Sequence, residues 1–227
     1  MNAMKSYEVK LEISGPTAMW TRPDTGDAPV SYPAPTFQAV KQIFESILWL
    51  RFAEVVPMRV EICRPLIYHR YFTNYGGPLR EGGGKGDDSH QLIATVLVNV
   101  HYRFFAKVVP HDPRPETLST KAQRWTKCGK KQLPIDGAHA YKDMFDLRLR
   151  RGQFHHVPFL GWKEFTPTFV KPVADDQNPT PGPDESVDGI PIPSMLFRTF
   201  KRGQFTQYTP EFKTDAVIRK GVLKYAE

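Results

Sequence analysis

Two stretches of the chain gather cationic side chains with no acid among them. Residues 121–131 hold Lys121, Arg124, Lys127, Lys130 and Lys131 around Trp125, and residues 148–156 hold Arg148, Arg150, Arg151, His155 and His156. Lysine and arginine neutralise phosphates and an indole stacks on an unpaired base, so this pattern serves the holding of RNA. The plain alternative is a solvated charged face. Several such stretches on one chain tip the reading towards RNA, and Arg22 and Lys41 join the expected contact set.

Other motifs carry less. The run Glu81-Gly82-Gly83-Gly84-Lys85-Gly86 invites comparison with a nucleotide-binding loop. Such a loop needs Ser or Thr after its lysine and a helix start facing the phosphate. Here Gly86 and Asp87 follow, and no helical pattern begins. The segment reads as a surface loop, or as one that orders on RNA with Arg80 and Lys85 supplying charge. His155-His156 lacks HxH or HExxH spacing, and neighbours on a strand point to opposite faces, so no metal site is expected there. Cys63 and Cys128 are too few for a disulfide framework or a four-cysteine zinc site, which fits a reducing cytoplasm.

The whole chain supports a cationic face. Its 227 residues carry a formal charge of +7, and residues 174–188 contribute five acids and no Lys or Arg, leaving the remainder at +12. Hydrophobic residues make up 40 %, enough for a sizeable core. Residues 1–7 lack the apolar centre of a signal peptide, and no apolar run approaches the ~20 residues of a membrane helix.

These side chains need elements to position them. Residues 6–14 alternate polar and apolar and predict a strand, which Gly15-Pro16 is expected to bend away. Residues 22–35 read as a loop. Thr36 can cap a helix in which Phe37, Val40, Ile43, Phe44 and Ile47 share one face. Residues 54–75 predict one or two strands, 76–90 a loop, 91–109 a strand region and 110–136 an irregular basic insertion. A second helix over 138–151 presents Tyr141, Met144, Phe145 and Leu149 and stops at Gly152. Strand-like segments are expected at 156–172, 192–207 and 215–225. This is an α+β chain in the βαββαβ order of ferredoxin-like, RRM-like domains. The expected division is 1–172 for that domain, 173–190 for an acidic proline-rich linker and 191–227 for a small antiparallel β-subdomain.

Several segments then resemble a known family. They are Gly15-Pro16-Thr17-Ala18-Met19-Trp20-Thr21-Arg22-Pro23-Asp24, Ser31-Tyr32-Pro33, the helix running to Ile47-Leu48-Trp49, Phe72-Thr73-Asn74, and Gly152-Gln153 leading to Phe159-Leu160-Gly161-Trp162-Lys163-Glu164-Phe165. Together, over about residues 7–172, they resemble the CRISPR-associated RAMP proteins, in the branch of the fifth Cas subunit of type I-C Cascade. The resemblance implies binding of the crRNA repeat hairpin and its 5′ handle, and partnership with the backbone and large Cascade subunits. It also implies cutting of precursor RNA without metal or cofactor. In that reaction the 2′-hydroxyl attacks the adjacent phosphate and leaves a 2′,3′-cyclic phosphate, which calls for acid–base groups and a cation.

The branch carries a tyrosine just before the tryptophan that ends the first helix, and a Lys-His pair at the start of the second. Here those positions are Leu48 and Ala140-Tyr141. Two readings follow. His139, Tyr141 and Lys142 supply imidazole, phenol and ammonium from a shifted register, or the chain holds the 5′ handle without cutting.

Overall fold

The computed structural model describes residues 6–50, 53–76, 89–110, 137–173, 182–199 and 209–225. These residues form a mixed α/β arrangement, with two helices among them, α1 (Phe37–Ile47) and α2 (Gly137–Arg151), and a mostly antiparallel set of strands. The strands are β1 (Tyr7–Ala18), β2 (Ala53–Ile62), β3 (Ile67–Gly76), β4 (Ser89–Pro110), β5 (Phe169–Lys171), β6 (Ile190–Arg198), β7 (Glu211–Ile218) and β8 (Val222–Lys224). The main sheet runs β5-β1-β4-β2-β8, with β3 paired to β4 off that path, and β6 and β7 form a two-stranded sheet.

The long strand β4 is shared. Its first half pairs with β3 from Gly76↔Ser89 to Ile67↔Val98, and its second half lies between β1 and β2. The change of partner occurs at Asn99, whose φ of 55° interrupts the ladder and whose side chain accepts from Arg64. Asparagine tolerates this left-handed backbone better than most residues. β1 does not bend away at Gly15-Pro16 but runs on to Ala18. Pro16 falls opposite Asn99 and beyond Phe169 of β5, where no ladder N–H is required.

One face of the sheet carries the core. Val9, Leu11 and Ile13 of β1, Phe104, Ala106 and Val108 of β4, and Val55, Val60 and Ile62 of β2 are all buried. A bulge between Pro57 and Arg59 changes the phase of β2, so Val55 and Val60 face inward despite their odd separation. On α1, Thr36 caps the first turn through Ala39 N–H, and Phe37, Val40, Ile43, Phe44 and Ile47 are buried as the spacing predicts. On α2 the buried stripe is Ala138, Tyr141, Phe145 and Leu149, while Met144 is 41 % exposed. Met144 is about 100° around the helix from Phe145, enough to leave the sheet. The helices meet through Phe44 and Phe145, 5.4 Å apart.

Residues 156–168 form turns and bends rather than the expected strands, and only Phe169–Lys171 pairs. Gly152 at φ 63° and Gly161 at φ 93° turn the chain where a strand would need extended backbone. Further on, Asp184 N–H donates to the Ile62 carbonyl, and Val187, Leu223 and Tyr225 are buried in the main core. The chain therefore returns to β2 through β8. No helix among the described residues is long and apolar enough to cross a membrane.

The outer face of β1 and β4 holds a buried polar group. Glu12 is fully buried, 2.8 Å from His101 Nε2 and 3.4 Å from Lys171 Nζ. A carboxylate only accepts, so the neutral ring carries its proton on Nε2 and donates it to Glu12. Burial holds the imidazole below its ordinary range; Glu12 pulls it up, and Arg64 and Arg103 push it further down. The unfolded chain therefore binds this proton more readily. The stability His101 contributes is present above about pH 6.5 and is lost as pH falls towards the depressed folded value. Urea denaturation is expected to show unfolding free energy dropping between pH 7 and 5, by at most about 1.4 kcal/mol per pH unit from this group. His101→Gln should flatten the drop, and an unchanged profile would refute the assignment.

Candidate functional site

The last carbonyls of α1 are the anchor of the site, because a helix end leaves them without partners of their own. The Tyr141 hydroxyl donates to the Leu48 carbonyl at 2.7 Å. Arg148 donates to the Ile47 carbonyl at 3.3 Å. The His155 and His156 amides donate to the Ile47 and Ser46 carbonyls at 3.4 and 2.8 Å. The second helix and the segment after it thus close over the end of the first.

That closure depends on a reversal at Gly152. The Gln153 amide donates to the Arg148 carbonyl and the Gly152 amide to the Leu149 carbonyl, ending α2 with a left-handed glycine. The chain turns back over α1, and the ring centroids of His155 and His156 lie 4.2 Å apart with their planes tilted by 53°. Their segment is a bend, so the strand rule that would send them to opposite faces does not apply. Both are exposed, as are Arg151 and Trp49. Among the described residues no group of three His, Cys, Asp or Glu could hold a metal ion.

The residues singled out from the sequence are dispersed. Tyr141 is 1 % exposed, with its ring stacked on Phe145 and its hydroxyl bonded to Leu48. His139 lies about 200° around the helix from it. His139 is exposed, 5.3 Å from Tyr7 of β1, with Nδ1 3.3 Å from Asp143. Lys142 pairs with Asp146 at 2.7 Å. Positions 48 and 141 do meet, but as buried, hydrogen-bonded groups. Tyr141→Phe is expected to cost about 1 kcal/mol of stability, one hydrogen bond at unchanged volume. Any cleavage rate should stay within about threefold. A thirtyfold loss with intact stability would return the phenol to the chemistry.

Among the expected RNA contacts, Arg150 and Arg151 are exposed on α2 and Arg148 is half-buried. The Lys41 ammonium lies 2.6 Å from Glu54 with 13 % of the side chain exposed, tying α1 to β2. Arg22 is half-buried, 2.6 Å from Asp24 and 5.9 Å from the Tyr32 ring. Arg80, Lys85, Lys121, Arg124, Lys127, Lys130 and Lys131 lie outside the described residues. Sequence reasoning missed the gathering of Trp49, His155 and His156 at the end of α1, because only the tertiary turn at Gly152 brings them there.

Comparison with known proteins gives this geometry a family. A model described as "CRISPR-associated protein (Cas_Cas5)" matches residues 8–197. The chain is 27 % identical over 232 residues to the CRISPR pre-crRNA endoribonuclease Cas5d of Thermus thermophilus, covering 95 % of this chain and 90 % of the relative. It is 26 % identical over 192 residues to the protein of the same name from Mannheimia succiniciproducens, covering 76 % and 75 %. A crystal structure of a CRISPR-associated protein matches with a TM-score of 0.66 at 16 % identity, covering 100 % of this chain and 95 % of that one.

Proposed function

The chain belongs to the CRISPR-associated Cas5 family, and on that premise we propose that it is a pre-crRNA endoribonuclease of the Cas5d kind. It binds the crRNA repeat and 5′ handle, cuts precursor RNA without a metal ion, and remains in a type I-C Cascade with the backbone and large subunits. The observation that carries this reading is the match to a Cas5d endoribonuclease over 95 % of the chain. The cationic groups at the end of α1 and along α2 agree with it. Arg148, Arg150 and Arg151 take phosphates. His139 and Lys142, paired along the helix with Asp143 and Asp146, exchange those partners for the RNA backbone. Such pairs are worth a few tenths of a kcal/mol.

We read the order β5-β1-β4-β2, with α1 and α2 packed against one face, as a ferredoxin-like, RRM-like domain. We assign residues 1–172 to it, 173–190 to the connection and 191–227 to the C-terminal part, in which β6 and β7 form their own sheet and β8 rejoins the domain beside β2. The activity belongs in the cytoplasm, where precursor transcripts are made.

The test is incubation of the purified chain with its own repeat RNA in EDTA. A single cut at the base of the hairpin, leaving a 2′,3′-cyclic phosphate, is expected. Handle binding without any cut would show a subunit that only caps the 5′ handle, and would overturn the nuclease reading.

A further inference from the structure

We propose that His155 and His156 are the proton-transfer pair of the cleavage reaction. This rests on the reading of the chain as a precursor-RNA nuclease and locates its chemistry. Metal-independent transesterification needs a base for the 2′-hydroxyl, an acid for the departing 5′-oxygen and a cation for the phosphorane. Leu48, Ala140 and the buried Tyr141 offer none of these to solvent. The end of α1 offers all three a few residues away.

Four observations distinguish this place from an ordinary pair of surface histidines. The rings are 4.2 Å apart, so both reach one phosphodiester. Their backbone is fixed, each amide being bonded to a carbonyl of the last turn of α1. Arg148 donates to the same Ile47 carbonyl as the His155 amide, and Arg151 follows one turn on along α2 as a further exposed cation. Trp49, 55 % exposed, is the residue after Leu48 and offers a ring on which an unpaired base can stack.

In the reaction the neutral imidazole takes the 2′-hydroxyl proton as the 2′-oxygen bonds to phosphorus. The protonated imidazole gives its proton to the 5′-oxygen as the P–O5′ bond breaks. The products are a 2′,3′-cyclic phosphate and a 5′-hydroxyl. The two rings finish with their protonation exchanged, and water resets them. Imidazole suits both halves because it takes up and releases a proton near neutral pH.

The test compares single-turnover cleavage of repeat RNA in EDTA by the full chain and by His155→Gln, His156→Gln and the double variant. Binding is read on an RNA with a 2′-deoxy scissile position. The double variant should lose at least about 10²-fold in rate, with affinity changed less than about threefold. His156→Gly should recover rate on addition of free imidazole. A double variant that cuts within threefold of wild type overturns the pair and leaves the nuclease reading intact. So does a rate loss that only tracks lost binding. If the double variant does not fold, by circular dichroism, the single variants and imidazole rescue decide, and absence of rescue overturns the pair. No cut by wild type overturns both readings.

Discussion

Gly161→Ala is expected to destabilise the protein by about 3 kcal/mol or more in urea denaturation, a cost built from left-handed strain and a steric clash with backbone. Gly161 sits at φ 93°, and an added Cβ would run into the carbonyl of Met19. Neither side can yield cheaply. The Met19 amide already donates to the Leu160 carbonyl at 2.9 Å, and the next residue, Trp20, is buried with its indole N–H bonded to Tyr102. Gly152→Ala is the control. It shares a positive φ of 63°, but an added Cβ meets nothing within 4 Å. Only the conformational cost of about 1–2 kcal/mol should appear there. If Gly161→Ala were no worse than Gly152→Ala, the close approach of this loop to the end of β1 would be refuted.

Phe145→Ala should cost about 3–5 kcal/mol, the range for emptying a large buried aromatic site. Phe145 is fully buried between Phe44 of α1 and Tyr141 of its own helix. It holds together the two helices whose apposition brings Tyr141 and Arg148 onto the carbonyls ending α1. Cleavage per folded molecule should therefore fall as well, because the site's backbone anchors shift with α2. Phe145→Leu keeps most of the volume and should cost about 1.5 kcal/mol or less. Equal stability of the alanine variant and wild type would overturn this account of the helix pair.

Local rules made part of this structure legible in the sequence. The first helix could be read because its cap and its apolar period agree, and Thr36 and the five stripe residues appear as predicted. Gly152 could be read as the stop of the second helix for the same reason. Elements governed by distant partners could not. β1 continues past Gly15-Pro16 because Asn99, far along the chain, opens the ladder there. The turns after α2 follow from how Gly161 meets Met19, which no neighbouring residue announces. Tyr141 is a different case. Its place on the stripe with Ala138, Phe145 and Leu149 was already in the sequence, and helical geometry alone sets it about 200° from His139. The histidine pair stayed hidden because adjacent residues were assigned to a strand, whereas a bend turns their rings together.

The closing of β2 by β8 also has a consequence in time. Arg59, Val60 and Glu61 pair with Lys224, Leu223 and Val222, so one edge of the sheet is supplied by residues synthesised long after β2 itself. At typical rates of translation the ribosome needs roughly ten to thirty seconds to travel between these partners. Throughout that interval the nascent protein carries an unpaired strand edge, a template for pairing with a wrong chain. Folding of this protein is thus paced by the arrival of a three-residue strand, and a message cut short before it would release a protein with an open edge and without Leu223 and Tyr225 in its core.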